Sequence, residues 1–286
     1  MVADLLDGNS LSKKMLSDLK ERVSDFKSRA KITPKLAIIL VGKDNASEIY
    51  VSKKLKNAKA IGIDAELIRF DENVSEQKLI DKIQEMNSDE KVHGLIIQVP
   101  LPKHLDMQKV LNSVCPLKDV DGFTCWNLGL LLQDKESFIP ATPLGIIRML
   151  EHYKIPVEGK NVCMVGHSLI VGKPLVLLFL NKNATVTICH KFTKNLSEFT
   201  KKADILCVAV GKQNLITAKM VKKNAVVIDI GINRLSNGKI VGDVDFEKVK
   251  KKASFITPVP GGVGPMTVYC LLKNTLKAAE NLQNKK

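Results

Sequence analysis

Aromatic residues are scarce in this sequence: 5% of 286 residues, with a single Trp. Proteins that hold single-stranded nucleic acid stack bases on aromatic rings, so no nucleic-acid partner is expected despite the formal net charge of +14. The six cysteines form no CxxC pair, and the five histidines form neither HExxH nor a Cys/His cluster, so no metal site is expected. No uncharged apolar run, Val176-Leu177-Leu178-Phe179-Leu180 included, approaches the roughly 20 residues of a bilayer span, so no membrane partner is expected. The opening Met1-Val2-Ala3-Asp4-Leu5-Leu6-Asp7 carries two acids and no basic stretch, unlike a secretory signal or an Arg-rich transit peptide. A cytoplasmic setting is expected, with Cys163, Cys189 and Cys207 as filler inside apolar runs. What remains is ordinary globular composition, 45% hydrophobic and 26% charged, long enough for two domains or one large one.

Acidic residues are short in one region. Residues 1–140 hold 21 Lys+Arg and 21 Asp+Glu, whereas residues 141–286 hold 23 and 9. The whole positive excess therefore sits in the second half. It invites an anionic partner such as nucleic acid, a membrane surface or a phosphate-rich small molecule. A set of solvated lysines is the plain alternative.

Strand and helix alternate along the chain. Asn9-Ser10 caps an amphipathic helix with Leu11, Met15, Leu16, Leu19, Val23 and Phe26 at 3–4 spacing. Apolar runs at 36–41, 66–70 and 95–99 read as strands, with helices near 46–61 and 75–87. The pattern repeats with strands at 162–165, 185–189, 205–210 and 226–230. Continuous apolar strands separated by helices predict α/β architecture, with parallel sheets covered on both faces. Residues 114–142 lose their period and collect Pro116, Gly122, Gly129 and Pro140, which marks a hinge. The interdomain cleft is the default place for an active site. A final helix, about 266–286, is expected to pack back on the first domain.

A strand ending at Val165 runs into Gly166-His167-Ser168-Leu169-Ile170-Val171-Gly172-Lys173-Pro174 and a helix, the context of a dinucleotide-binding βα turn. The spelling departs from GxGxxG, with Ser168 and Val171 where glycines belong, and Pro174 excludes a P-loop. A turn that needs only glycine geometry is the plainer alternative. An NAD site places an acid about 20 residues later on the ribose hydroxyl. Here strand two ends Cys189-His190-Lys191-Phe192. With the acid missing and a cation near its place, the residues favour a 2′-phosphate, hence NADP, with Lys191 and His167 beside it; a solvated strand-end lysine is the alternative.

Tyr50 and Lys54 lie four apart on a helix and so share a face. Such a pair stacks on a ring and moves a proton if burial lowers the lysine's pKa, although an exposed pair is the commoner outcome of that spacing. Gln98 breaks an apolar strand at its C-terminal end, where open α/β sheets place ligand groups. Asp121 is placed to accept hydrogen bonds from a ring N–H or an amino group, or simply forms a turn. The glycine loop Pro258-Val259-Pro260-Gly261-Gly262-Val263-Gly264-Pro265-Met266-Thr267 precedes the last helix.

These segments occur together and in order: Tyr50-Val51-Ser52-Lys53-Lys54, Gly94-Leu95-Ile96-Ile97-Gln98-Val99-Pro100-Leu101-Pro102, Asp119-Val120-Asp121-Gly122-Phe123, the loop at 166–174, Asp229-Ile230-Gly231-Ile232-Asn233 and Pro260–Thr267. As a set they resemble the bifunctional methylenetetrahydrofolate dehydrogenase/cyclohydrolase family from end to end. The departure is His167, where many members carry Arg. The resemblance implies NADP-dependent oxidation of 5,10-methylenetetrahydrofolate and hydrolysis of the methenyl product to 10-formyltetrahydrofolate, in the one-carbon metabolism that feeds purine, methionine and histidine biosynthesis. It implies a folate-binding catalytic domain at 1–120, an NADP-binding Rossmann domain at 141–265, and a homodimer. It gives Lys54 the acid/base work and Gln98 its tuning. Tyr50 would stack on folate and Asp121 would bind the pterin. Ile97, Val99 and Pro260, Gly261, Gly262, Val263, Gly264 and Pro265 would border the substrate, and Gly166, His167, Ser168, Lys191 and Ile232 would line the NADP site. A two-domain dehydrogenase of a keto acid, shikimate dehydrogenase-like in plan, is the alternative enzyme.

Overall fold

In the computed structural model, which describes residues 2–135 and 138–284, the apolar runs become parallel strands and the amphipathic runs become helices. Chain order is β1 (Asp4–Leu5), α1 (Gly8–Ala30), β2 (Lys35–Val41), α2 (Asn45–Ala60), β3 (Asp64–Phe70), α3 (Glu76–Ser88), β4 (Gly94–Ile97), α4 (Met107–Asn112), α5 (Cys125–Leu132), α6 (Ala141–His152), β5 (Asn161–Val165), α7 (Gly172–Leu180), β6 (Thr185–Cys189), α8 (Leu196–Thr200), β7 (Ile205–Val208), β8 (Val226–Asp229), β9 (Asn233–Arg234), β10 (Ile240–Val241), α9 (Phe246–Val249), β11 (Phe255–Ile256) and α10 (Val263–Gln283). Residues 1, 136–137 and 285–286, which fall within the expected domain, hinge and C-terminal helix spans, lie outside the described residues.

The chain divides into two compact units, one made of Lys14–Ala141 with Val268–Lys286 and the other of Met1–Lys13 with Thr142–Thr267. The first holds a three-stranded parallel sheet in the order β3-β2-β4. Leu79, Ile83 and Met86, spaced along one face of α3, bury against Ala37, Ile39, Leu95 and Ile97 of the sheet. Beyond β4 the chain makes one more parallel bridge, Leu95 with Asp119. The segment that lacks a period contains α5, an almost wholly apolar helix capped by the Thr124 side chain, which accepts from the Asn127 N–H. A helix without a polar stripe gives periodicity nothing to detect.

The second unit holds a six-stranded parallel sheet in the order β1-β11-β8-β7-β5-β6. Counted from β5, the order is 2-1-3-4-5, the doubly wound plan whose direction reverses between β5 and β7. The core of this sheet includes Cys163, Cys189 and Leu206. All six cysteines are free, and Cys163, Cys189, Cys207 and Cys270 are buried, so four thiols serve as small apolar side chains. The edge strand β1 comes from the far end of the sequence and pairs with β11, Asp4 opposite Phe255.

Candidate active site and coenzyme loop

Helix α2 begins where the Asp44 carboxylate accepts from the Ser47 N–H, a side-chain cap for an otherwise unpaired donor. From that start, Ser47, Val51, Lys54 and Ala58 fall on one buried face, the 4-3-4 spacing of a helix stripe. Lys54 thus occupies a core position, only 7% exposed, whereas Lys53, Lys56 and Lys59 of the same helix are exposed. Its ammonium nitrogen donates to Gln98 Oε1 at 3.0 Å. Gln98 follows β4 directly; its backbone N–H extends the ladder to Ile39 O at 2.8 Å. Its amide Nε2 donates to Val99 O at 2.8 Å, which turns Oε1 toward the lysine.

The turn Asp119–Phe123 contains two buried carboxylates with different employment. Asp119 accepts from Phe123 N–H, Thr124 N–H and Asn127 Nδ2, at 3.1, 2.8 and 2.9 Å. Asp121, 9% exposed, accepts no hydrogen bond from any described residue and lies in no ion pair within 4 Å. Asn274 Nδ2 donates to Val120 O at 2.9 Å and secures the turn from α10. Asp121 therefore keeps acceptor capacity for the N–H groups of a ligand.

Electrostatics follow from this burial. Desolvation holds the Lys54 ammonium below its ordinary range, and the field of Asp121 opposes that fall. Desolvation raises the Asp121 carboxyl; Lys54 opposes the rise and Asp119 adds to it. Burial also raises the hydroxyl of the half-buried Tyr50. The sequence-predicted residues Lys54 and Gln98 are thus in direct contact, with Asp121 acting on Lys54 through its field. Ile97 is fully in the core, and Val99 packs at its margin.

In the six-stranded unit, β5 ends at Gly166, whose φ of +115° suits glycine. A Cβ there would lie 2.3 Å from Ala209 O at the end of β7. A Cβ on Gly172 would lie 2.3 Å from Gly166 O. The two glycines that the sequence does carry therefore close the turn. Ser168 Oγ accepts from the N–H groups of Val171 and Gly172 at 3.2 and 3.4 Å, while the N–H groups of residues 167–170 donate to no described protein acceptor. Free N–H groups at a helix entrance fit a pyrophosphate. His167 and His190 lie with ring centroids 5.1 Å apart, and Lys191 Nζ lies 4.9 Å from the centroid of the exposed Phe192 ring. Cationic and imidazole groups in place of an acid fit a 2′-phosphate. Ile232 is exposed in the loop after β8.

Sequence reasoning missed two carboxylates that build this loop end. Asp229 accepts from Gly231, Asp243 and Val244 N–H groups; burial pushes its carboxyl up to about 6 against those hydrogen bonds. Asp243 accepts from Val210, Gly211 and Lys212 N–H groups and from Asn233 Nδ2. Their only signal was a pair of acids in the acid-poor half, Asp229 inside the run read as a strand at 226–230 and Asp243 in a stretch with no predicted element. The Pro258–Pro265 loop lies in the same unit: Pro260 follows a cis bond, Gly261 O accepts from the Asn9 N–H, and Gly262 and Val263 are buried while Gly264 and Pro265 are half-buried.

A doubly wound sheet with an anion-binding βα turn, joined in one chain to a parallel α/β unit carrying a buried lysine, defines a dinucleotide-dependent enzyme class. Residues 6–121 match the catalytic-domain model, and residues 140–283 the NAD(P)-binding-domain model, of tetrahydrofolate dehydrogenase/cyclohydrolase. The chain belongs to the tetrahydrofolate dehydrogenase/cyclohydrolase family, and its second half is that family's NAD(P)-binding domain. The bifunctional protein FolD of Thermodesulfovibrio yellowstonii is 55% identical over 280 residues, 98% of each chain. The crystal structure of the bifunctional FolD dehydrogenase/cyclohydrolase from Campylobacter jejuni matches with a TM-score of 0.95 and 48% identity, covering 98% of this chain and 99% of that one. A Trypanosoma brucei FolD structure complexed with NADP cofactor and inhibitor matches at TM-score 0.95 and 33% identity, over 98% of both chains.

Proposed function

We propose that this chain catalyses NADP-dependent oxidation of 5,10-methylenetetrahydrofolate to the 5,10-methenyl cation and its hydrolysis to 10-formyltetrahydrofolate, with Lys54 as the proton-transfer group. The observation that carries the assignment is the buried Lys54–Gln98 contact beside an unpaired Asp121. NADP, when bound, supplies the acceptor for the hydride that leaves the one-carbon bridge.

The chain's residues do the rest. Asp121, an acceptor with no protein donor, takes pterin N–H groups, and Tyr50 offers a ring face for the folate aromatic system. Hydrolysis adds water to a carbon that is already cationic, so a charged ammonium beside it is unfavourable. Lys54, held toward its neutral form by burial, accepts the proton that water loses. Gln98 Oε1 fixes the amine's direction. In the six-stranded unit the N–H groups of the 166–172 loop receive the pyrophosphate, and His167 and Lys191 favour a 2′-phosphate. Residues 260–265 and Ile232 line the ligands by the same family resemblance. The free cysteines support a reducing cytoplasmic setting, and no described helix is long and apolar enough to cross a membrane. The working form in this reading is a homodimer without nucleic acid.

The test is an assay of the purified protein with 5,10-methylenetetrahydrofolate and either coenzyme, following methenyl formation and its decay. Growth of the methenyl absorbance with NADP, then enzyme-dependent decay, is expected. No turnover with either coenzyme overturns the proposal.

A further inference from the structure

Asn274 interrupts an apolar stretch of α10: Leu271, Leu272, Leu276 and Ala278 around it are fully buried, and Asn274 itself is 5% exposed. A carboxamide placed there costs stability unless its donors are used. Its Nδ2 donates twice, to Val120 O at 2.9 Å and to Ile139 O at 3.1 Å, carbonyls that lie 154 and 135 residues away in the sequence. One side chain of α10 thus bridges the turn Asp119–Phe123 and the stretch Phe138–Pro140. The same two segments meet at Gly122, whose φ is +71° and where a Cβ would lie 2.2 Å from Phe138 O. Asn127 of α5 adds another tie: its Nδ2 donates to Asp119 Oδ2 at 2.9 Å, and its Oδ1 accepts from the Phe138 N–H at 3.4 Å. On the sheet side, the Leu95 N–H donates to Lys118 O at 2.8 Å. Asp121 therefore stands between two fixed neighbours, Val120 pinned by Asn274 and Gly122 packed on Phe138, while its own carboxylate takes part in none of these bonds.

We infer that Asn274 is a positioning residue for the folate reactions: by holding Val120 O and Ile139 O together it sets the direction in which the Asp121 carboxylate leaves the turn, and with it the fit of the pterin N–H groups. This rests on the Asp121 reading above and extends it to a side chain of another helix. A carboxylate gripped by protein donors takes its direction from them, as Asp119 does; Asp121, with none, takes its direction from its backbone. Two carbonyl oxygens that converge on one point repel each other once the donor between them is removed, so loss of the amide opens the turn from the stretch it rests on. A misplacement of about 1 Å in a group that positions substrate costs up to about 10²-fold in rate.

The test is a double-mutant cycle on hydrolysis of added methenyltetrahydrofolate, with Asn274→Leu, Asp121→Asn and the two together. Loss of a neutral hydrogen bond corresponds to about two- to tenfold, so Asn274→Leu should raise KM by about that factor with a smaller change in kcat. Fluorescence titration with NADPH should stay at the wild-type value, because the residues assigned to the coenzyme belong to the six-stranded unit. Residues that act through one another are not additive: with Asp121 already replaced, Asn274→Leu should raise KM no further. Asn274→Ser, which keeps one donor on a shorter side chain, should fall between wild type and Asn274→Leu, and it carries the same cycle if Asn274→Leu does not fold. An unchanged KM on replacing Asn274, or a rise that repeats in full when Asp121 is already Asn, overturns the positioning role and leaves the Asp121 reading intact. An unchanged KM in Asp121→Asn overturns both.

Discussion

In the three-stranded unit the decisive polar groups are withdrawn from water: Lys54 sits on a core stripe of α2, and Asp121 is buried without a donor. In the six-stranded unit they are presented to water: His167, Ser168 and Lys191 are exposed around a loop with free N–H groups. The difference follows from the task. Proton transfer needs a group whose charge state the protein has shifted, and burial is the strongest means of shifting it. Holding a phosphate needs donors aimed outward and a cation that stays charged, which exposure preserves. One region prepares chemistry and the other prepares binding, so substitutions in them should fail in different measurements.

The sharpest break is Lys54→Met. Hydrolysis of methenyltetrahydrofolate should fall by roughly 10²–10⁴-fold, the span of general acid/base catalysis. Coenzyme fluorescence titration should stay at the wild-type value, because the residues assigned to the coenzyme belong to the six-stranded unit. Retained hydrolysis would separate Lys54 from the chemistry.

Asp121→Asn should raise KM for the folate substrate by about tenfold or more, the worth of a hydrogen bond to a charged group. It also removes the charge that opposes the fall of the Lys54 pKa. The amine then loses its proton at lower pH, so the rising limb of the hydrolysis pH profile should move to the acid side. A shift toward alkali would contradict the assigned field.

Gly172→Ala places a methyl 2.3 Å from Gly166 O. Overpacking of this kind costs about 1–3 kcal/mol, so Tm should fall and NADPH affinity weaken, with hydrolysis of added methenyltetrahydrofolate keeping its pH profile. Lys191→Ala is expected to be the mildest: an exposed pair is worth less than about 1 kcal/mol, giving a few-fold loss of NADPH affinity that disappears at high salt and no change for NADH.

Much of this organisation was legible in the residues. Strand positions followed from apolar runs, and the polar interruption at Gln98 marked a sheet end correctly. The placement of Lys54 was half legible: Val51 and Ala58 define the stripe on which it falls, but a lysine at that spacing is ordinarily solvated. Local pattern gave no reason for Asp121 rather than Asp119 to stay open, a choice that rested on the family resemblance, since which of two acids a turn consumes depends on where Phe123, Thr124 and Asn127 direct their donors. The pairing of β1 with β11 joins residues some 250 apart, beyond the reach of any local pattern. Asp229 and Asp243 carried no local sign of the donors that the fold brings to them.

The order of chemical groups along the chain, the shortage of acid in its second half and the alternation of strand and helix were fixed by the sequence alone, because period, charge and glycine placement are local properties. Burial of Lys54, the empty acceptor on Asp121 and the meeting of His167 with His190 were decided only by tertiary structure. Desolvation and donor geometry depend on neighbours that the chain supplies from distant positions.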